Sequence, residues 1–402
     1  MVSYREVLST PGVARLIASQ LTARFPAGMI ALAYLLHVER VHDSYGAAGL
    51  VLAATSVGQA IAGPLTSRWM GRWGIRPVVA LTMVVSLASY LVIALMVLPV
   101  TAYMLVGFIG GLSTPPIQSA VRTIYPKMVN SRQLTPLFSL DASAQEIIWV
   151  IGPVVTTFIA VQVSTVVAIL VAGVFLVGGT IWFLTSPVVG RVRIPRARRA
   201  IGKVLARRPV LLATIVGFLL IASAAGVEAG VVAVYGHGGP QAGIILAIWS
   251  IGSVFGGLAF GHLPIGPWAL ARRMLLVFVG VALAALILDF WWLAVMLLIS
   301  GFGMAPALAV MFAIVSSSVK FSDTAEAYGW VGTGQLIGAA IGSAFAGFMI
   351  DAQGPQGAFI VGAAFALLGV LFPVIFVRWH PDLRGRDAGP IPDTEPVPVQ
   401  PS

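Results

Sequence analysis

Runs of about twenty mostly apolar residues recur along the whole chain, separated by short polar or Gly- and Pro-containing breaks. A helix of about 20 residues crosses the roughly 30 Å hydrocarbon core of a bilayer. Runs such as LTMVVSLASYLVIALMVL lack the polar and apolar alternation of barrel strands. With 58% apolar and 9% charged residues and a mean hydropathy of +0.97, the chain has too few polar side chains to cover a water-soluble core. We therefore predict an all-α membrane protein embedded in a lipid bilayer.

The apolar runs predict twelve transmembrane helices. Their expected bounds are 13–38, 45–69, 77–98, 101–124, 137–161, 164–185, 210–235, 240–261, 270–288, 291–316, 325–350 and 356–379.

The basic residues predict the orientation, because short loops rich in Lys and Arg stay in the cytoplasm. With the N-terminus inside, every inner loop contains basic residues, whereas the outer loops contain only Arg40. We therefore expect both termini in the cytoplasm. The net charge of +10 is explained by these loops, and nucleic-acid binding is not expected.

One larger break divides the helices six and six. Residues 186–209 contain eight basic residues and no acid, which predicts a cytoplasmic linker between an N-terminal bundle, 1–185, and a C-terminal bundle, 210–380. Residues 381–402 include six prolines and mixed charge, which predicts a disordered cytoplasmic tail.

The two halves repeat one another at an offset of 190 to 194 residues. SVGQAIAGPLTSR from position 56 aligns with SIGSVFGGLAFGH from 250, and SAQEIIWVIGP from 143 aligns with TGQLIGAAIGS from 333. The second match pairs Gln145 with Gln335, and Pro115 meets Pro306. Three matches in order favour a duplicated six-helix unit with a pseudo-twofold axis along the membrane normal.

With this repeat, residues 10–380 resemble the major facilitator superfamily of secondary transporters. Its signature between helices 2 and 3, G-x-x-x-D-R-x-G-R-R, reads SRWMGRWGIR here, with Arg72, Gly74 and Arg76 matching and Gly71 in place of the acid. The resemblance implies a cytoplasmic latch formed by Arg68, Arg72, Gly74 and Arg76. The other interpretation of these arginines is that they only set topology and contact lipid headgroups.

Predicted helix 5 resembles the drug:proton antiporter branch, whose signature is G-x-x-x-G-P-x-x-G-G. Gly152 and Pro153 match it, whereas Ile148, Thr156 and Thr157 replace the other glycines. Gly allows close helix approach, and Pro bends a helix and frees a carbonyl, so a simple kink is the alternative. The stretch from TPPIQSAVRTIYP to SLDASAQEIIWVIGP also resembles bacterial efflux permeases, which implies a bacterial plasma (inner) membrane protein.

Ionisable residues inside predicted spans are the main candidates for function, because a charge near the bilayer centre costs about 2.5 to 3.5 kcal/mol on insertion scales. Glu146 lies about 15 Å into predicted helix 5, at the midplane. A carboxyl group there can be neutral when dehydrated and ionised when wet, as proton coupling requires. We expect Arg24 to pair with Glu146 or with an anionic substrate group. Glu228 is a second protonatable or cation-attracting candidate, or else makes a helix–helix hydrogen bond.

Asp141 lies about 140° around the same helix from Glu146, so the two cannot form a dyad on one face. We expect Asp141 to pair with Arg122 at the inner end of predicted helix 4, and we count this pair as part of the cytoplasmic latch. Further polar or aromatic candidates for the binding site are Gln20, Gln145, Gln335 and Trp149.

No catalytic motif, nucleotide-binding loop or metal-ligating His pair lies in the predicted spans, so we expect no enzyme, cofactor or metal. The predicted function is proton-coupled export of a small amphipathic molecule by a monomeric transporter working by alternating access. The alternatives are a proton symporter or uniporter that imports a sugar-like metabolite, and a transporter-like receptor that binds ligand without accumulating it.

Overall fold

A computed structural model describes residues 4–195, 200–235, 241–261, 263–386 and 388–393, except for the side chains of Tyr45 and Ser131. The described residues are almost entirely helical. Eleven helical segments in this part of the chain are long and apolar enough to cross a membrane.

Nine α-helices belong to the N-terminal part, residues 4–195, together with the short linker helix α10. They are α1 (Tyr4–Ser9), α2 (Val13–Arg24), α3 (Ile30–His42), α4 (Tyr45–Trp73), α5 (Ile75–Leu95), α6 (Val100–Leu112), α7 (Ile117–Ile124), α8 (Ser131–Gln162), α9 (Thr165–Leu184) and α10 (Pro187–Arg191). Six more form the C-terminal part, residues 200–393. They are α11 (Arg208–Tyr235), α12 (Gln241–Phe260), α13 (Ala269–Ala284), α14 (Phe290–Ser318), α15 (Phe321–Gln353) and α16 (Pro355–Ile375).

Proline interrupts two of the predicted helices. Predicted helix 1 is divided into α2 and α3 by a 3₁₀ turn at Phe25–Gly28 that contains Pro26. Predicted helix 4 is divided into α6 and α7 next to Pro115 and Pro116. Proline lacks an N–H group and clashes with the preceding turn, so the α-helical ladder stops there.

Predicted helix 9 is shorter than expected. The apolar run at 270–288 forms α13, which has 16 residues and packs between α14 and α16. The eleven segments of membrane-spanning length do not include it.

The linker and the basic loops meet at one end of the helices, which we call the basic end. Lys127 lies over the ring of Phe321, with 4.4 Å between Nζ and the ring centroid. The backbone N–H of Gly202 donates to Glu326 Oε1 at 2.8 Å. These contacts bring the starts of α8 and α15 and the end of the linker to the same end.

The tail differs from the disordered segment expected for 381–402. Leu383 N–H donates to the Ile265 carbonyl, and Ile391 lies beside Val319 and Phe321 with backbone hydrogen bonds in both directions. The Asp393 carboxylate accepts from the Ser322 hydroxyl at 2.6 Å. The expectation is wrong for the described tail residues through 393, because apolar residues such as Ala388 are buried against the basic end. Residues 394–402 lie outside the described part of the chain.

Candidate functional site

The N- and C-terminal parts meet along two lines of contact, which we call the seams. In the first seam α4 packs on α15, and in the second α8 packs on α12 and α14. The described hydrogen bonds across both seams lie in the halves of these helices nearest the basic end.

The two seams use the same contact with the roles of the two parts exchanged. Ser143 Oγ donates to the Val254 carbonyl at 3.4 Å, and Thr333 Oγ1 donates to the Ala60 carbonyl at 2.6 Å. The internal repeat pairs Ser143 with Thr333 and Ala60 with Val254. This exchange is the contact pattern that a pseudo-twofold relation produces.

One turn nearer the basic end, the seams are related again. Ser139 Oγ donates to the Gly257 carbonyl at 2.5 Å. The repeat pairs these residues with Gly329 and Gly63, whose backbones are so close that a Cβ on either glycine would lie within 2.9 Å of the other's carbonyl oxygen. Small residues let the helices approach closely at both seams.

The two seams differ at Glu146. Its carboxylate, 8% exposed, accepts a hydrogen bond from Ser253 Oγ at 2.9 Å across the second seam. The Ser253 oxygen also accepts from the backbone N–H of Ala305 at 3.2 Å. The Ser253 hydroxyl thus accepts from Ala305 and donates its own hydrogen to Glu146. At the repeat-related positions of the first seam are Leu336 and Gln59, which do not form a carboxylate–hydroxyl pair.

Glu228 lies on α11, in the C-terminal part of the chain, and is exposed. The predicted candidates Glu146 and Glu228 are therefore on different parts of the chain. The described hydrogen bond of Glu146 goes to Ser253.

The expected pairing of Arg24 with Glu146 is wrong. In the described residues Arg24 instead donates to Gln20 Oε1 at 2.9 Å and to Gln145 Oε1 at 2.5 Å. Gln145 and Glu146 are at the same depth, but consecutive residues point about 100° apart around a helix. Arg24 therefore faces the Gln145 side of α8, inside the N-terminal part.

The expected ion pair between Arg122 and Asp141 is present, with 3.3 Å between Nε and Oδ2. Both side chains are almost completely buried. Asp141 Oδ1 also accepts from Gln20 Nε2 at 2.9 Å and from the Tyr125 hydroxyl at 3.0 Å. We call the connected set of Gln20, Arg24, Gln118, Arg122, Tyr125, Asp141 and Gln145 the buried network.

The buried network also touches the C-terminal part. The Arg122 guanidinium lies over the ring of Phe312 on α14, 3.4 Å from its centroid. A cation over an aromatic face is attracted by the ring quadrupole. The network is therefore in direct contact with the second seam.

The predicted latch loop connects the two parts through one arginine. Arg68 Nη1 lies 3.3 Å from Glu326 Oε2 across the first seam, and Glu326 also holds the linker through Gly202 N–H. Arg76 packs against Gly190 of α10, where a Cβ would collide with its guanidinium.

The described features of Arg72 and Gly74 involve residues close to them in the sequence. The Arg72 guanidinium lies 5.9 Å from the Trp73 ring. Gly74 joins α4 to α5 with φ of 93°, a conformation that side-chain-bearing residues rarely adopt.

Gly152 and Gly28 bring α8 and the break after α2 into backbone contact. A Cβ on Gly152 would lie 2.8 Å from the Gly28 carbonyl oxygen, and a Cβ on Gly28 would collide with the Ile148 carbonyl. The helix 5 signature glycine therefore acts through close packing within the N-terminal part.

The remaining predicted candidates are more peripheral. Trp149 is 53% exposed one turn beyond Glu146, and Gln335 packs against Gly217 of α11. Sequence reasoning missed Ser253, Tyr125 and Gln118. Ser253 had one signal, because the internal repeat aligns it with the polar Gln59.

Comparison with known proteins gives a family and a fold. The model of the Major Facilitator Superfamily matches residues 16–288 and 257–401. No curated protein matches the chain. The crystal structure of the human organic anion transporter MFSD10 (TETRAN) is similar with a TM-score of 0.68 and 18% identity, over 93% of this chain and 100% of that one. A bacterial homologue of the iron transporter ferroportin in an outward-facing state is similar with a TM-score of 0.70 and 13% identity, over 92% and 99%.

Proposed function

The chain belongs to the major facilitator superfamily of secondary transporters, and from this premise we propose that it exports a small amphipathic molecule in exchange for protons by alternating access. The observation that carries the proposal is the Glu146 carboxylate, buried at the seam and hydrogen-bonded to Ser253 of the other part. A group that can bind a proton and also joins the moving parts can couple proton binding to the conformational change.

We propose twelve membrane-spanning helices in two six-helix halves, an N-terminal bundle ending at 185 and a C-terminal bundle from 210 to 380, joined by the linker. The span that completes the twelve is α13, which corresponds to predicted helix 9. Its 16 residues extend about 24 Å at 1.5 Å per residue. The repeated contacts of the two seams support the pseudo-twofold relation.

We place the basic end in the cytoplasm of a bacterial cell, with both termini inside, because Lys and Arg are enriched on that side of bilayers. The seam hydrogen bonds then close the cytoplasmic side, and the conformation is outward-open. Arg68 and Glu326 act as the cytoplasmic latch, together with Arg72, Gly74 and Arg76.

In this scheme ionised Glu146 stabilises the outward-open state, since a hydrogen bond to a charged acceptor contributes about 1.5 to 3 kcal/mol and one to a neutral acceptor about 0.5 to 1.5 kcal/mol. Protonation from outside weakens the Ser253 bond and lets the cytoplasmic side open. Release of the proton inside then favours the return. Glu228, a carboxyl group on a membrane-spanning helix of the C-terminal part, is the second protonatable group of this scheme.

The buried network has a supporting role in the proposal. It includes two guanidinium groups and one carboxylate, and the carboxylate pairs with Arg122. Arg24 is therefore available to an anionic group of the substrate. Arg122 and Asp141 hold α7 and α8 together beside the seam.

The test uses purified protein in proteoliposomes and a panel of amphipathic compounds and sugars. An acidic lumen drives accumulation by a proton antiporter, whereas an acidic exterior drives accumulation by a symporter. We expect accumulation with an acidic lumen, lost in Glu146→Gln and retained in the control Asp351→Asn, whose carboxylate is exposed at the other end. Accumulation by Glu146→Gln equal to that of the parent would assign Glu146 a structural role only.

A further inference from the structure

The short helix α1 reaches across the second seam through one tyrosine side chain. α1 packs on α2 and α8, so it belongs to the N-terminal part. The Tyr4 hydroxyl nevertheless lies 2.9 Å from the Leu258 carbonyl oxygen and 3.0 Å from the Gly257 carbonyl oxygen, both in the last turn of α12. A phenol has one hydrogen to donate, whereas a carbonyl oxygen has two lone pairs that accept.

Leu258 is the better acceptor for this hydrogen. The Gly257 oxygen already accepts from the backbone N–H of Gly261 at 2.9 Å and from Ser139 Oγ at 2.5 Å. Leu258 is one of the last four residues of α12, whose carbonyl groups have no partner within an ideal helix. Tyr4 therefore caps the end of α12 from the other part of the chain.

The position of Tyr4 is fixed by the packing around it. A Cβ on Gly261 would collide with the hydroxyl groups of both Tyr4 and Ser139, so the end of α12 fits closely against them. Within α1, the Val7 side chain is completely buried. The turn from α1 to α2 contains Gly12 with φ of 86°, a conformation that favours glycine. The fold of the N-terminal part thus directs α1 towards the seam.

The internal repeat shows why the second seam needs such a contact. At the basic end, the first seam is held by the ion pair of Arg68 and Glu326. The repeat pairs Arg68 with His262 and Glu326 with Pro136. Proline has no side-chain group that accepts a hydrogen bond, so the duplicated sequence cannot form the same ion pair at the second seam.

We propose that α1 is a strap, in which Tyr4 holds the second seam closed as Arg68 and Glu326 hold the first. The strap contact must break each time the basic end opens, so Tyr4 is a positioning residue for the conformational change. Burial raises the pKa of Tyr4 above its usual value, and the phenol keeps its hydrogen at physiological pH. The inference rests on alternating access, but not on protons or on the direction of transport.

The experiment measures the distance between spin labels at Val97→Cys and Leu286→Cys, two exposed positions on opposite parts of the chain at the end away from the linker. The full-length protein is compared with Tyr4→Phe in nanodiscs, at one alkaline pH and without substrate. Tyr4→Phe keeps the ring and removes the hydroxyl. Loss of one hydrogen bond between neutral groups is expected to lower the ratio of closed to open basic ends about two- to tenfold, which brings more of the labels close together.

The matched control is Tyr328→Phe. The Tyr328 hydroxyl also donates to a carbonyl, that of Phe312 at 3.0 Å, but both residues belong to the C-terminal part. We expect this variant to keep the ratio of the parent. The same distance distribution in Tyr4→Phe as in the parent, or an equal shift in Tyr328→Phe, overturns the proposal. Neither result requires substrate, a pH gradient or transport, so the strap and the proposed proton exchange fail separately.

Discussion

Removal of the Ser253 hydroxyl tests the seam where proton binding and conformation are linked. Ser253→Ala takes away the donor to Glu146 and leaves a buried carboxylate with its 2.9 Å bond missing. A hydrogen bond to a charged group contributes about 1.5 to 3 kcal/mol, and about 1.4 kcal/mol changes an equilibrium tenfold. Since the bond exists only while the seam is closed, we expect the closed population to fall roughly 10- to 100-fold relative to the open one.

The assay is a distance measurement between spin labels at Val97→Cys and Leu286→Cys. Both positions are exposed, on opposite parts of the chain and at the end away from the linker, and the sequence has no other cysteine. Opening of the basic end brings these labels together. The control Ser143→Ala removes a long 3.4 Å bond to a neutral carbonyl and has a smaller effect. Equal distance distributions in Ser253→Ala and the parent would refute the role of this hydrogen bond.

Three further predictions concern packing and orientation. Arg122→Gln leaves Asp141 buried without its partner, so we expect about 3 to 5 kcal/mol of destabilisation, measured by denaturation in detergent; unchanged stability would contradict the burial of the pair. Gly152→Val forces a side chain against the Gly28 backbone and is expected to lower the melting temperature strongly, whereas the control Gly347→Ala, at a glycine with open space around it, does not. A cysteine at Val97 is expected to react with an impermeant thiol reagent in intact cells, and one at Arg191 only after the cells are opened; the reverse would invert the topology.

Sequence patterns predicted the helices well because apolar length alone determines where a chain can cross a bilayer. The pairing of Arg122 with Asp141 was also predictable, since both lie at the same end of consecutive predicted helices. The partners of Arg24 were not predictable, because the depth of Glu146 in its helix does not say which neighbouring helix the Glu146 side chain faces. Gln145 accepts from Arg24 and belongs to the buried network, whereas Glu146, the next residue, faces the seam and accepts from Ser253.

The tail and Ser253 show two other limits. Proline content suggested disorder in a segment whose Leu383, Ala388 and Ile391 pack on loops far away in sequence. Ser253 is an ordinary serine until α8 is placed beside it. Tertiary contacts of this kind leave no local pattern in the sequence, although the internal repeat marked the correct region.

The most direct test of proton coupling at Glu146 is the pH dependence of the distance between labels at Val97→Cys and Leu286→Cys. Protonation weakens the Ser253 bond, so acidification is expected to move the parent towards the state with the basic end open and the labels closer together. Glu146→Gln has the neutral side chain at every pH and is expected to show one distance distribution from alkaline to acidic pH. The same pH response in Glu146→Gln as in the parent would contradict the account.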